Sequence, residues 1–480
     1  MAEERQTSTE PSIIQGGMGV AVSGWRLARA VSLTGQLGVV SGTALDAVLA
    51  RRLQLGDPDG DVRRAAAAFP DQELAARVVD RFFVAGGKAD DAAFKANPMY
   101  TADTKRRTHE LAVLGGFVEV FLAKEGHDGV VGINFLHKVQ MPTPATLYGA
   151  LLAGVDYVLV GAGIPRDIPD LIDTLVRHDP VSMPLAVVGG DPEHPVELRF
   201  DPREVVAGEP ATLRRPKFLA IIASATLAIS LTRRATGVDG FVVEGPTAGG
   251  HNAPPRGQLI LEDGQPVYGP RDEVDLEKIR AIGLPFWLAG GYARPGRLRE
   301  ALSVGAAGVQ VGTVFAFCEE SGIDPVLRAR VLGHAREGDM TVVTDPLASP
   351  TGFPFKVAQL EGTLSEQEVY EGRDRRCDLG YLRDVVRGED GSLIYRCPAE
   401  PVEDYLRKGG SIEETVGRKC ICNGLMVTVG LGQVRGGNPE PPIMTAGDDL
   451  RDLVQLLPKD SDSYTASDVI AALLADVPVR

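Results

Sequence analysis

In residues 240–257, GFVVEGPTAGGHNAPPRG, a histidine follows paired glycines at the end of an apolar run. Phe241, Val242 and Val243 read as a buried strand, and Pro246 ends it. Gly249 and Gly250 then let the backbone approach a bound molecule with no Cβ in the way. His251 is held out on the loop that follows, where an imidazole with an ordinary pKa of about 6.5 can donate, accept or shuttle a proton. The same triplet also suits a turn or helix cap, so the rest of the chain has to decide.

A second group able to do chemistry lies near the C-terminus. Cys377, Cys397, Cys420 and Cys422 are separated by 19, 22 and one residues. Four thiolates can satisfy tetrahedral zinc or an iron–sulfur cluster, although a C-x-C pair is not a standard C-x₂-C. Ordinary buried thiols or a redox-active pair are the competing readings. Cys318 stands apart and reads as packing.

Elements must position these groups, and the chain supplies them in alternation. Apolar runs occur at 11–20, 37–42, 130–136, 157–163, 217–224, 241–245, 285–291 and 308–313, each followed by a helical pattern. Parallel strands joined by helical crossovers follow from that order, and eight of them predict an α/β fold, a (β/α)8 TIM barrel. Glycines close most of the strands, in QGGMG, VSG, LVGAG, VEG, LAGG and QVGT. Backbone N–H groups at such ends make anion sites, and the seventh and eighth strands are where barrels commonly bind a phosphate. The barrel is expected to start in 1–42 and to continue through 129–357, with a β insertion near 184–210. Long Ala- and Arg-rich helical segments fill 43–128, an insertion whose plain role is packing and which is also able to cover the site, and 358–480 reads as a Cys-containing region. From residue 448 onward two short helices are expected, with Leu450, Leu453 and Leu457 on one face.

Composition bounds the function. The 480 residues are 44% hydrophobic and 24% charged, globular values that leave room for a large core. A net charge of −15 argues against nucleic acid as a main partner. No run of about 18 apolar residues and no N-terminal h-region occurs, which predicts a cytoplasmic protein away from membranes. Five cysteines are too few for a disulfide framework.

The motifs QGGMG, LGVVSG, GINF, KFLAIIAS, VVEGPTAGGHNAPPRG, LAGGYA, GAAGVQVGT and TGFPFK, in that order over residues 11–357, resemble the nitronate monooxygenase family, once called 2-nitropropane dioxygenases. That family also includes FMN-dependent enoyl-acyl carrier protein reductases and the enoyl reductase subunits of polyunsaturated fatty acid and polyketide synthases. The resemblance implies an FMN-binding barrel. Gly17, Asn134, Glu244, Gly249 and Gly250 would approach the flavin, Gly290, Gly291, Gln310, Val311, Gly312 and Thr313 would hold its phosphate, and Lys217 would approach the pyrimidine. His251 matches the family's active-site histidine.

Nitronate oxidation with O2 acting on a small molecule is the expected reaction. Enoyl-thioester reduction with NAD(P)H and a carrier protein is the alternative, and a non-catalytic flavin-binding subunit of a larger biosynthetic assembly is a third; separately, the C-terminal helices could dock on a second subunit in a homodimer. Thr247 stands where many family members carry an acidic residue, and Asn252, Pro254 and Pro255 follow His251. The synthase-associated subunits have a more acidic, serine-containing loop. These departures fall on the substrate side of the site.

Overall fold

A computed structural model describes residues 10–208, 211–234, 237–457, 461–475 and 477. Sequence-based assignments at 1–9, 209–210, 235–236, 458–460, 476 and 478–480 lie outside these. Eight strands make the barrel: β1 (Ile13–Gln15), β2 (Gly38–Ser41), β3 (Val131–Leu136), β4 (Tyr157–Gly161), β5 (Lys217–Ile222), β6 (Gly240–Glu244), β7 (Phe286–Ala289) and β8 (Gly308–Val311). They are parallel neighbours in the order β1-β8-β7-β6-β5-β4-β3-β2. The Ile14–Leu37 bridge closes the ring. Every apolar run picked from the sequence is one of these strands.

Alternation along the strands sends one set of side chains inward. Ile14, Leu37, Val39, Tyr157, Leu159, Leu219, Val242, Trp287 and Ala289 form the packed interior. The segment before β1 closes the N-terminal end: Trp287 Nε1 donates to Pro11 O at 2.7 Å and Tyr157 OH to Glu10 at 2.9 Å. Lys217 Nζ lies 2.5 Å from the same Glu10 carboxylate. Its expected approach to a flavin is therefore corrected. The first residue of a barrel strand is at the barrel's floor, and ligands sit at the other end.

Helices surround the strands: α1 (Trp25–Ser32), α2 (Leu45–Gln54), α3 (Asp61–Ala67), α4 (Gln72–Phe82), α5 (Arg106–Lys124) and α6 (Thr143–Leu152) lead the first half. Asp71 caps α4 by accepting from Leu74 N. α5 is the crossover from β2 to β3, and α2, α3 and α4 are additional layers against it. A Cβ at Gly149 of α6 would lie 1.9 Å from Val113 O of α5, so only glycine permits this approach. The apolar faces of α2 to α5 are thus spent on packing beside the barrel. Of the two roles open to this layer, packing is the one seen: of residues 43–128, only Thr43 reaches the main cavity.

The cover comes from the C-terminal region instead. A hairpin of Val342–Asp345 and Phe355–Ala358 lies beside the cavity, and Asp384–Arg387 pairs with Leu393–Arg396. The β insertion is present as a Val181–Pro184 and Glu197–Phe200 hairpin, and its Val187–Val188 adds a parallel strand to the Asp384–Arg387 sheet. Asp46 of α2, fully buried, accepts from Tyr100 OH at 3.1 Å and Tyr381 OH at 2.6 Å, which ties the extra helices to the cover. Beyond residue 448 the chain docks on the barrel, first as a 3-10 stretch, Asp448–Gln455, and then as helix Ala466–Leu474. Leu450 and Leu453 are buried there as expected, and Leu457 packs against the core half-buried.

Candidate active site

The main cavity lies at the C-terminal ends of the barrel strands. Strand register places its wall side by side: Ser41 beside Asn134, Glu244 beside Ala289, and Ala289 beside Gln310. Gly17, Gly249, Gly250, His251, Gly290, Val311, Gly312 and Thr313 complete the expected set that meets there. Gly291 flanks the cavity, its Cβ position 3.4 Å from Thr247 Oγ1. Lys217 alone is at the opposite end of the barrel. Met18, Ile221, Ala289 and Met444 give the cavity apolar surfaces.

Polar groups in this wall are only partly partnered by protein. Gln310 Oε1 is buried with no hydrogen-bond partner. Asn134 Nδ2 donates to Phe135 O at 3.0 Å, and its side chain is pressed against Gly17, where a Cβ would lie 2.3 Å away. The backbone N–H groups of Gly290, Gly291, Gly312 and Thr313 have no acceptor among the described residues. Gly290 and Gly291 have φ of +87° and +76°, a conformation that favours glycine. Thr313 Oγ1 accepts from Gly447 N at 2.9 Å, and Gly250 N donates to Thr445 Oγ1 at 3.0 Å, so the segment 445–449 is laid over the glycine loop.

His251 sits on the wall in a bridge with Phe355, whose ring it meets edge-on with centroids 4.8 Å apart. Its Nε2 is 2.6 Å from Ser349 Oγ, which is 2.8 Å from Thr351 Oγ1, and Lys138 Nζ donates to that oxygen at 3.0 Å. Four side chains therefore form one hydrogen-bonded row from the cavity to Lys138. Burial, with the charge of Lys138 second, pulls the His251 pKa down to about 3, so the ring is neutral at working pH. Burial also lowers Lys138 to about 7, opposed by Asp384. Glu244 is pushed up to about 7 by burial. Asp449 is raised to about 6 by burial first and by Asp452 next.

Ser349, Thr351 and Lys138 were not singled out from sequence. The signal for two of them was the match near TGFPFK, whose Phe355 and Lys356 pair with the His251 loop through Lys356 N and Gly250 O at 2.9 Å. Lys138 carried no signal, because only the fold brings the loop after β3 to residue 351.

The four C-terminal cysteines line one small pocket. Cys422 also lines the main cavity, so the two sites share a wall. Cys318 is fully buried and its thiol lies 3.1 Å from Phe315 O, a packing role as expected.

These features define a barrel protein with a ligand site at the strand C-termini. The family model described as nitronate monooxygenase matches residues 207–351, which hold the second half of the barrel. A probable nitronate monooxygenase of Bacillus subtilis is 31% identical over 121 residues, 25% of this chain and 33% of that one. The (3aS,4S,5R,7aS)-5-hydroxy-7a-methyl-1-oxo-octahydro-1H-indene-4-carboxyl-CoA dehydrogenase of Mycobacterium tuberculosis is 32% identical over 127 residues, 26% of this chain and 31% of that one. The chain thus spans about a third of the length of these curated relatives. The solved structure of FabK from Thermotoga maritima aligns with a TM-score of 0.47 and 17% identity, covering 97% of this chain and 92% of that one. No helix among the described residues is long and apolar enough to cross a membrane.

Proposed function

We propose that this protein is an FMN-dependent oxidoreductase that oxidises alkyl nitronates with O2. The observation that carries the reading is the neutral His251 on the cavity wall, backed by Ser349, Thr351 and Lys138. The residues present fit a flavin mononucleotide. The unpartnered Gln310 Oε1 and the Asn134 amide suit the polar edge of its ring system, and the apolar walls suit its faces. The four free N–H groups of Gly290, Gly291, Gly312 and Thr313 suit its phosphate. When bound, FMN supplies reversible two-electron transfer and reaction with oxygen.

The chain's own part is placement and proton control. With Lys138 charged, donation runs from Lys138 to Thr351, to Ser349 and to His251 Nε2. That order leaves the Nδ1 proton of His251 for a nitronate oxygen in the cavity. Glu244, protonated below about pH 7, does not repel an anionic substrate there. Both groups make the site less receptive to an anion as pH rises past neutrality.

Enoyl-thioester reduction with NAD(P)H is the second reading, favoured by a second cavity that shares Ala162, Tyr381 and Leu382 with the first and carries Lys138 and Arg383. Such basic groups suit an anionic carrier arm or nicotinamide phosphate, and the M. tuberculosis relative is named for a CoA thioester. The readings separate in steady state: nitronate-dependent O2 uptake without NADPH supports the first, and NADPH oxidation that needs an enoyl thioester supports the second. Absence of both leaves a non-catalytic flavin-binding subunit.

A further inference from the structure

Cys377, Cys397 and the Cys420–Cys422 pair come from three places on the chain's C-terminal region and converge on one pocket. None is in a disulfide. Convergence of four thiols from segments 19, 22 and one residues apart is more than incidental burial requires. Cys420 and Cys422 stand at the start of helix Ile421–Thr428, with Cys420 at its N-cap.

The spacing of the sulfurs separates the two metal chemistries that four thiolates serve. Zinc takes all four sulfurs at about 2.3 Å, which puts them roughly 3.8 Å from one another. Among the described residues the only three ligand atoms mutually within 4.8 Å belong to His334, Glu337 and Asp339, an exposed group elsewhere. No three of the cysteine sulfurs are that close. An iron–sulfur cubane distributes its thiolates one to each iron and so spreads them wider than a single ion does.

The guanidinium groups of Arg373 and Arg383 face Cys420 and Cys377, against Asp378, Glu400 and Glu440.

We propose that these four cysteines bind an iron–sulfur cluster seated against the wall of the main cavity. Cys422 lines both spaces, which puts the cluster next to the ligand that occupies the barrel mouth. The proposal deepens the flavin reading and rests on it for the cluster's purpose, not for its existence.

The test is purification of the full chain under nitrogen after reconstitution with ferrous iron and sulfide, followed by metal, sulfide and FMN analysis. Roughly four iron and four sulfide per chain, with visible absorption that dithionite bleaches, is expected. The Cys377→Ser/Cys397→Ser variant should lose that iron by at least tenfold while circular dichroism and FMN content stay as in the parent. One zinc per chain, or iron that survives in the variant, overturns the cluster. If the variant does not fold, the parent's iron and sulfide content decides. FMN without iron removes the cluster and keeps the flavin reading, whereas iron without FMN does the reverse.

Discussion

The surroundings of His251 keep its ring neutral and hold Nε2 against Ser349 Oγ. Replacing the histidine with alanine removes the donor from the cavity without touching the glycine loops, so His251→Ala should retain FMN and lose roughly 10²–10⁴-fold in kcat/KM. Normal turnover would show that the proton is handled elsewhere. Lys138 acts through its partners, and its pKa near 7 predicts a limb in the pH profile. Turnover should fall as pH rises through about 7, and Lys138→Met should flatten that limb while binding FMN normally. Glu244 makes a separate prediction about stability. Its folded pKa of about 7 lies above the ordinary 4.5, so the folded protein holds a proton that the unfolded chain has released. Ligand-free protein should therefore lose stability from pH 4.5 to 7, and the Tm advantage of Glu244→Gln should grow across that window; a constant difference would contradict it. The place of His251 at the cavity was legible from the strand order, which sets the loop after the sixth strand at the barrel mouth, since the Gly-Gly-His triplet alone also suits a turn. Lys138 was not, since no local pattern marks a lysine that a distant threonine will meet. Lys217 was misread because a cation at a strand's start looks available to an anion until the strand's direction fixes it to the floor.

Elements were legible where local pattern and tertiary demand agree. Each barrel strand is a short apolar run closed by glycine, and the crossover rule then leaves little choice of order. The α5 and α6 pair carries a sharper consequence, because Gly149 is where two backbones nearly touch. Gly149→Ala should destabilise the fold by about 1–3 kcal/mol in urea denaturation, the cost of overpacking. Gly333, inside helix Pro325–Glu337 with open space at its Cβ, is the control. Gly333→Ala should instead stabilise by up to ~1 kcal/mol from helix propensity. Equal effects at both positions would mean that the helix contact is looser than described. The segment 445–449 had no such legibility: its role depends on hydrogen bonds to Thr313 and Gly250, more than a hundred residues away.

At the scale of the molecule, a barrel has been given a roof from its own C-terminal region. Lys356, buried, donates to Thr344 Oγ1 at 3.0 Å and to Asp448 Oδ1 at 2.7 Å, joining the hairpin beside His251 to the segment over the glycine loop. Asp448→Ala strands that lysine and should cost roughly 3 kcal/mol. It should also weaken FMN retention on gel filtration, because the roof is loosened where it meets the phosphate loops; unchanged retention would separate the roof from cofactor binding. The sequence signalled a Cys-containing region after the barrel but not that it closes the cavity, a fact that resides in contacts between Asp46 and Tyr381 and around Cys422. The reaction assigned to that enclosed space is the central claim. Its most direct test is the anaerobic visible spectrum of the FMN-loaded protein on addition of propyl-2-nitronate and, separately, NADPH. Bleaching by nitronate alone, reversed by air, is the predicted result. Bleaching by NADPH alone would contradict it and assign the site to enoyl-thioester reduction.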